Sequence, residues 1–392
     1  MTGLAVGQQV ALTVGAVAHG GHCVARHDGQ VVFVRHALPG ESVLAEVTEV
    51  GPRERYVRAD VREVLAPSAD RVVPPCPFVG ECGGCDWQHA TLAAQRRLKA
   101  TVVEEQLRRL GKVDRQVLVE ALPGDVDGLG WRTRVSFAVD GSSRAGLRRH
   151  RSHDVVPIDE CLIAHPLVKA TTVTHLLWPG VARVDVAAAV ASGETSISAD
   201  GSGGSTLREV AAGRSYRISA GGFWQVHPKA ADTLVGAVFD QLDPQQGEHA
   251  LDLYAGVGLF AGALVSRLGA GGRVDVVEAS ADAAADAEAN LANDVTAHVH
   301  RQRVDKFLSS TSLRHCDLVV LDPPRTGAGR GVLARVVRLA PRTISYVACD
   351  PAALGRDVAL LAELGYVLAG LRAFDLFPMT HHVECVAQFA RA

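Results

Sequence analysis

No run of apolar residues in this 392-residue chain approaches the roughly 18 needed to cross a bilayer. Met1 to Val10 lacks both a basic stretch and a long apolar core, so no secretory signal is expected and a cytoplasmic location is. Lysine is scarce, only five of the 40 cationic residues, an arginine bias that reflects genome composition rather than function. Neither sign of charge prevails: 40 basic residues face 43 acidic ones, and the net charge of −3 excludes a uniformly basic nucleic-acid binder. Disordered, collagen-like and coiled-coil classes are excluded by 47% hydrophobic and 21% charged residues. A cytosolic chain has little use for disulfides, so its eight cysteines point to metal binding or catalysis.

The length implies several domains. Residues 1–65 alternate in short stretches (Val10, Leu12, Val14; Val31 to Val34; Val43, Ala45, Val47) separated by Gly20-Gly21, Asp28-Gly29 and Leu38-Pro39-Gly40-Glu41, which predicts an OB-like β-barrel. Residues 66–220 form a central α+β segment. It opens with a Pro-, Gly- and Cys-rich stretch to residue 90, continues as a helix over 92–110 stopped at Gly111, and then reads as strands from Trp131 to about Arg217, with a loop over 192–206. Residues 221–392 alternate apolar strands with helical stretches, the pattern of an α/β, Rossmann-like doubly wound parallel sheet. Charge divides along these boundaries. Residues 1–230 carry 26 basic and 24 acidic groups, residues 231–392 carry 14 and 19, and the densest basic run is Arg144, Arg148, Arg149, His150, Arg151 and His153.

Chemistry-bearing residues gather at strand ends. Asp252-Leu253-Tyr254-Ala255-Gly256-Val257-Gly258 follows a strand and opens a helix; glycines there allow a sharp turn and close approach of a ligand. The third glycine that a dinucleotide needs beneath its pyrophosphate is replaced by Ala261, which fits a phosphate-free adenosyl cofactor. Glu278 ends the next strand, where a carboxylate can accept from ribose hydroxyls, and Asp322-Pro323-Pro324-Arg325 closes another at the ligand-binding edge. Cys349, in Ala348-Cys349-Asp350-Pro351, faces that edge as a nucleophile would. Glu384, in His381-His382-Val383-Glu384-Cys385, is a carboxylate in an apolar stretch, expensive unless paired or functional. Cys76, Cys82 and Cys85, with Cys161 further on, can hold zinc or an iron–sulfur cluster; the irregular C-x5-C-x2-C spacing favours [4Fe-4S] over zinc. Cys23, Cys316 and Cys385 have no partner pattern.

Together these motifs resemble the S-adenosylmethionine-dependent RNA uracil-5-methyltransferases, in the iron–sulfur branch with an N-terminal TRAM domain. The likeness runs from about residue 5 to the end and rests on Leu38-Pro39-Gly40-Glu41, the four cysteines, Phe223-Trp224-Gln225-Val226-His227, Asp252 to Gly258, Asp322 to Arg325, Cys349 and His382-Val383-Glu384. It implies that Gln225, Tyr254, Glu278 and Asp322 contact S-adenosylmethionine, beside the Gly256 and Gly258 turn. It further implies that Cys349 is the nucleophile, Glu384 the base, and Cys76, Cys82, Cys85 and Cys161 the ligands of a [4Fe-4S] cluster. Implied partners are rRNA or tRNA, contacted by the barrel and the Arg144–His153 run; no membrane partner and a monomer are expected, with helix 92–110 packing on the catalytic domain. The chain departs from the family's usual Ser-Cys-Asn-Pro at Ala348 and Asp350, and from its usual Asn at His227. Competing readings are a methyltransferase acting on RNA cytosine-5 or a small molecule, and a non-catalytic RNA-binding cluster protein. Cytosine enzymes usually place Pro before the nucleophile, where Ala348 stands here.

Overall fold

The computed structural model describes residues 3–392; Met1 and Thr2, the start of the expected barrel, lie outside the described residues. Strands Gln9–Thr13, Cys23–His27, Gln30–Arg35, Ser42–Val50 and Tyr56–Ala66 build the N-terminal sheet, in the spatial order first, fourth, fifth, third, second. Asp28 (φ 48°) and Gly29 (φ 85°) make the two-residue turn between the second and third, both left-handed as a type I′ hairpin requires. Hydrogen bonds from Gly15 N–H to Val24 O (2.7 Å) and from Val24 N–H to Ala16 O (2.9 Å) bring the two edges together. Val10, Leu12, Val32, Val34, Val43, Ala45 and Val57, alternate residues of their strands, fill the interior.

The central segment carries a six-stranded antiparallel sheet, with Arg134–Val139 and Arg183–Ala189 at its middle. Here the structure corrects the loop expected over 192–206. Glu194–Ala199 and Ser202–Gly203 are strands joined by Asp200 (φ 48°) and Gly201 (φ 79°), another left-handed pair, while Ile197 packs on the core of the sheet. The abundant Ser and Gly of that stretch hid a hairpin whose single apolar anchor gives little periodicity.

The C-terminal sheet has eight strands. Ala297–Arg301, Arg273–Glu278, His249–Leu253, Leu318–Leu321 and Thr343–Ala348 run parallel, and the last two are buried throughout because helices cover both faces. Glu384–Arg391 then pairs antiparallel with Thr343–Ala348 and with Tyr366–Asp375. The eighth strand, Val119–Ala121, comes from the segment assigned by sequence to the central domain and pairs parallel with Ala373–Asp375. Helix Leu92–Gln106 and the turns after it lie on helix Pro351–Glu363, so closely that a Cβ on Gly355 would sit 2.7 Å from Gln106 O. Lys99 of that helix pairs with Asp375, both fully buried, and also donates to Phe377 O (3.0 Å). The C-terminal ends of the parallel strands therefore open on one edge, with the central sheet and the barrel standing over it.

Candidate active site

The strand His249–Leu253 ends in a loop under tight backbone control. Tyr254 has φ 66°, a left-handed conformation uncommon without glycine, and its N–H and that of Ala255 both donate to Val277 O (3.0 and 3.1 Å). Gly256 N–H donates to Glu278 Oε2 (2.9 Å), while Ser280 N–H donates to Glu278 Oε1 (2.7 Å). Glu278 thus ties the glycine turn to the end of the next strand and keeps one lone pair on each oxygen for a ligand. Gly258 (φ 86°) does not line the cleft. A Cβ there would meet Leu291 Cδ1 at 3.3 Å, so this glycine lets the following helix pack on its neighbour and shapes the loop from behind. Asp252, fully buried, accepts from Ala261 N–H (2.8 Å), and burial pushes its carboxyl up to about 7.

One cleft of about 1210 Å³ runs along this edge, lined by Gln225, Tyr254, Gly256, Glu278, Asp322, Cys349 and Glu384. Small-ligand sites typically hold about 300–1,000 Å³, so this cleft has room for a cofactor and part of a second molecule. Gln225 is held by its neighbours: Trp224 packs on Tyr216 (ring centroids 5.4 Å apart), and Val226 O accepts from Thr133 N–H (2.8 Å) and Thr133 Oγ1 (2.9 Å). At the closed end, the antiparallel register opposes Ala348 to Cys385, which sets Cys349 and Glu384 side by side across the two strands. Asp322 follows Leu321, the partner of Tyr346 one strand further along. Burial, then Glu384 and Asp322, push the Cys349 thiol up to about 12. Burial lifts Asp322 to about 7, and burial with Asp322 lifts the Glu384 carboxyl well above the usual carboxylate range against the opposing Arg325. Three acids and a thiol in one apolar crevice make a pocket that favours positive charge.

Phe223, 67% exposed at the mouth, and Arg132, Arg148, Arg183, Arg325 and His382 also line the cleft, and sequence reasoning singled out neither Arg132 nor Arg183. Arg325 and His382 stood inside the recognised motifs, but Arg132 and Arg183 had no signal beyond their charge. The basic run is exposed and partly paired. Arg149 pairs with Glu81 (2.8 Å), Arg151 with Glu49 (3.2 Å) and Arg144 with Asp159 (3.7 Å), so these charges join parts of the chain and only Arg148 of the run's arginines lines the cleft.

A TRAM domain family matches residues 4–61, and the tRNA (uracil-5-)-methyltransferase family matches residues 206–391. An uncharacterized RNA methyltransferase of Streptomyces avermitilis is 48% identical over 97% of this chain and 98% of its own length. The 23S rRNA (uracil(1939)-C(5))-methyltransferase RlmD of Shewanella sp. (strain ANA-3) is 32% identical over 95% of this chain and 94% of its own length. The chain belongs to the RNA uracil-5-methyltransferase family. It is an S-adenosylmethionine-dependent RNA (uracil-C5)-methyltransferase with an N-terminal TRAM barrel. The fold agrees: the tRNA (uracil-54, C5)-methyltransferase of Pyrococcus abyssi, solved with S-adenosyl-L-homocysteine, superposes with a TM-score of 0.75 over 96% of this chain and 99% of its own at 22% identity. No helix among the described residues is long and apolar enough to cross a membrane.

In this methyltransferase the four cysteines singled out by spacing come together. Cys76, Cys82, Cys85 and Cys161 line one small cavity beside Phe78, Ile158 and Ile163. Burial raises the thiols of Cys82, Cys85 (to about 12) and Cys161, and neighbouring thiols of the set raise them further; Gly84 N–H donates to Cys82 Sγ (3.3 Å). Among the described residues, no three His, Cys, Asp or Glu side chains gather closely enough to hold a single metal ion. Gly84, Arg132 and Leu147 line both this cavity and the catalytic cleft, so the fold places side by side what the sequence separates. The three unassigned thiols are core residues: Cys23 donates to Ala37 O (3.3 Å), and Cys316 and Cys385 are fully buried.

Proposed function

We propose that this enzyme methylates C5 of a uridine in ribosomal RNA through a covalent adduct between Cys349 and C6 of the base. The register that sets Cys349 beside Glu384 at the end of a cofactor cleft carries this reading. Uracil C5 is a poor nucleophile, and attack of the Cys349 thiolate at C6 makes it an enolate carbon. Bound S-adenosylmethionine supplies the methyl group that this carbon takes up, held by Gln225, Tyr254, Gly256, Glu278 and Asp322. Glu384 then takes the C5 proton, the C5–C6 double bond re-forms, and the Cys349 sulfur leaves. A carboxylate whose proton affinity is raised by burial is the stronger base for that step. A thiolate cannot reach C6 of a stacked base, so the uridine is single-stranded or flipped out. The exposed Phe223 ring and Arg148, Arg183 and Arg325 at the cleft suit an extruded base and its phosphates. The choice of ribosomal RNA rests on the full-length likeness to RlmD. Sequencing 5-methyluridine in total RNA with and without the gene tests it: loss of one site in 23S rRNA is expected. Loss in tRNA alone overturns the choice of RNA, and no loss overturns the activity.

The same proposal gives Cys76, Cys82, Cys85 and Cys161 a [4Fe-4S] cluster to hold, because the three neighbouring thiols and the distant Cys161 share one cavity. Cluster ligation would require all four as thiolates, which burial opposes at Cys82, Cys85 and Cys161 until iron compensates. Protein purified without oxygen is expected to carry about four irons per chain with broad visible absorption. Cys161→Ser is expected to lose most of both, and one zinc per chain in place of iron would reverse the assignment.

A further inference from the structure

We propose that the N-terminal barrel belongs to the catalytic frame, and that its His19 is a positioning residue acting on Cys349 through Asp350. This deepens the proposed function and rests on its reading of Cys349 as the nucleophile.

The loop Ala18–His22 leaves the barrel and lies on the two segments that carry the reactive groups. Gly20 (φ 93°) and Gly21 (φ 83°) give it its tight path, and Trp87 Nε1–H, from the cysteine-rich segment, donates to Gly21 O (2.9 Å). Gly21 rests on His381, three residues before Glu384, so closely that a Cβ would lie 2.7 Å from His381 Cβ. His381 is gripped from the other side as well: its N–H donates to Asp86 Oδ2 (3.1 Å), and its Nδ1 meets the same oxygen at 2.6 Å.

From this loop His19 Nε2 reaches Asp350 Oδ2 at 3.1 Å, a contact between residues 331 positions apart. Asp350 directly follows Cys349 and is the N-cap of helix Pro351–Glu363, where its Oδ1 accepts from Ala353 N–H (2.7 Å). The carboxylate is therefore held at both oxygens, one by its own helix and one by the barrel. The backbone of Cys349 is fixed between the strand ladder at Ala348 and this doubly held residue. Pro351 stiffens the far side, its ring fixing φ at the first helical turn. Removing His19 leaves Asp350 with one anchor and the nucleophile's peptide freer to move. A nucleophile displaced by about 1 Å can lose about two orders of magnitude in rate.

The alternative role for the barrel, RNA capture alone, would change KM and leave kcat intact. The experiment uses the full-length enzyme with S-adenosylmethionine and the RNA fragment carrying the mapped uridine. His19→Ala is expected to lower kcat by roughly 10- to 100-fold with KM for RNA nearly unchanged. The rate of covalent capture by the same fragment carrying 5-fluorouridine is expected to fall equally, since fluorine at C5 blocks release of the adduct. His19→Gln, which keeps a donor for Asp350, is expected to retain most of the rate. The double variant His19→Ala/Asp350→Ala is expected to match Asp350→Ala alone. A change in KM only, no change in either constant, failure of His19→Gln to rescue, or additive losses in the double variant each overturns the inference. If the Asp350 variants do not fold, the two His19 variants alone decide. A Cys349→Ala enzyme with normal turnover would instead overturn the underlying reading, so the two failures are distinguishable.

Discussion

Replacing Cys349 by Ala is expected to cut methyl transfer by at least about 10⁴-fold while leaving the fold and cofactor binding intact, as measured by radiolabelled methyl incorporation and calorimetry. The size follows from the chemistry. Without addition at C6, uracil offers only a weakly nucleophilic double bond, and no other thiol can replace the lost one: Cys385, on the neighbouring strand, is fully buried among apolar residues. The fold should tolerate the change because the Cys349 side chain lines the cleft. A variant retaining more than about one-tenth of wild-type kcat would show that Cys349 forms no obligatory bond. The environment adds an expectation about order of binding. Burial, Glu384 and Asp322 push the free thiol up to about 12, so positive charge entering the crevice favours the thiolate. Trapping by 5-fluorouridine RNA should accordingly depend on the cofactor being present.

Glu384→Gln has the second large effect, and its signature differs in kind. Attack by Cys349 and uptake of the methyl group precede removal of the C5 proton, so this variant should begin the reaction and stall. Turnover is expected to fall by about 10²–10⁴-fold. A methylated RNA–protein adduct stable on denaturing gels is expected to accumulate, absent from the Cys349→Ala/Glu384→Gln double variant. Loss of turnover without any adduct would assign Glu384 to an earlier step, and undiminished turnover would remove it from the mechanism. Gln is nearly isosteric with Glu, so the substitution should leave the strand Glu384–Arg391 undisturbed.

The parts of this protein legible in its sequence are those where a strand ends in a residue too costly to place there without purpose. Asp322 and Glu384 are carboxylates in apolar surroundings, and the structure brings them to one crevice with Cys349, while Asp252 stays in the core, accepting from Ala261 N–H. What escaped notice depends on pairings between distant segments. Val119–Ala121 is three residues long with no period to read, and its partner Ala373–Asp375 lies some 250 positions away. Lys99 lies on the helix predicted over 92–110, but its partner Asp375 comes from the far end of the chain. The Arg144–His153 run was visible as charge, but not the pairing of three of its arginines with Glu49, Glu81 and Asp159, which needs the folded arrangement of several segments. Gly256 and Gly258 read alike in sequence, yet one lines the cleft and the other packs on a neighbouring helix.

The borrowed edge strand also bears on how such enzymes are inherited. Helix Leu92–Gln106 and strand Val119–Ala121 precede the central sheet in the chain but finish the sheet of the methyltransferase domain that follows it. A recombination event that transferred residues 221–392 alone would carry Asp375 without Lys99 and without the helix that carries it, and would bare the last sheet edge. The catalytic module is therefore not portable by itself. It needs the helix and the short strand upstream, and the central sheet stands in the chain between two parts of one folded domain.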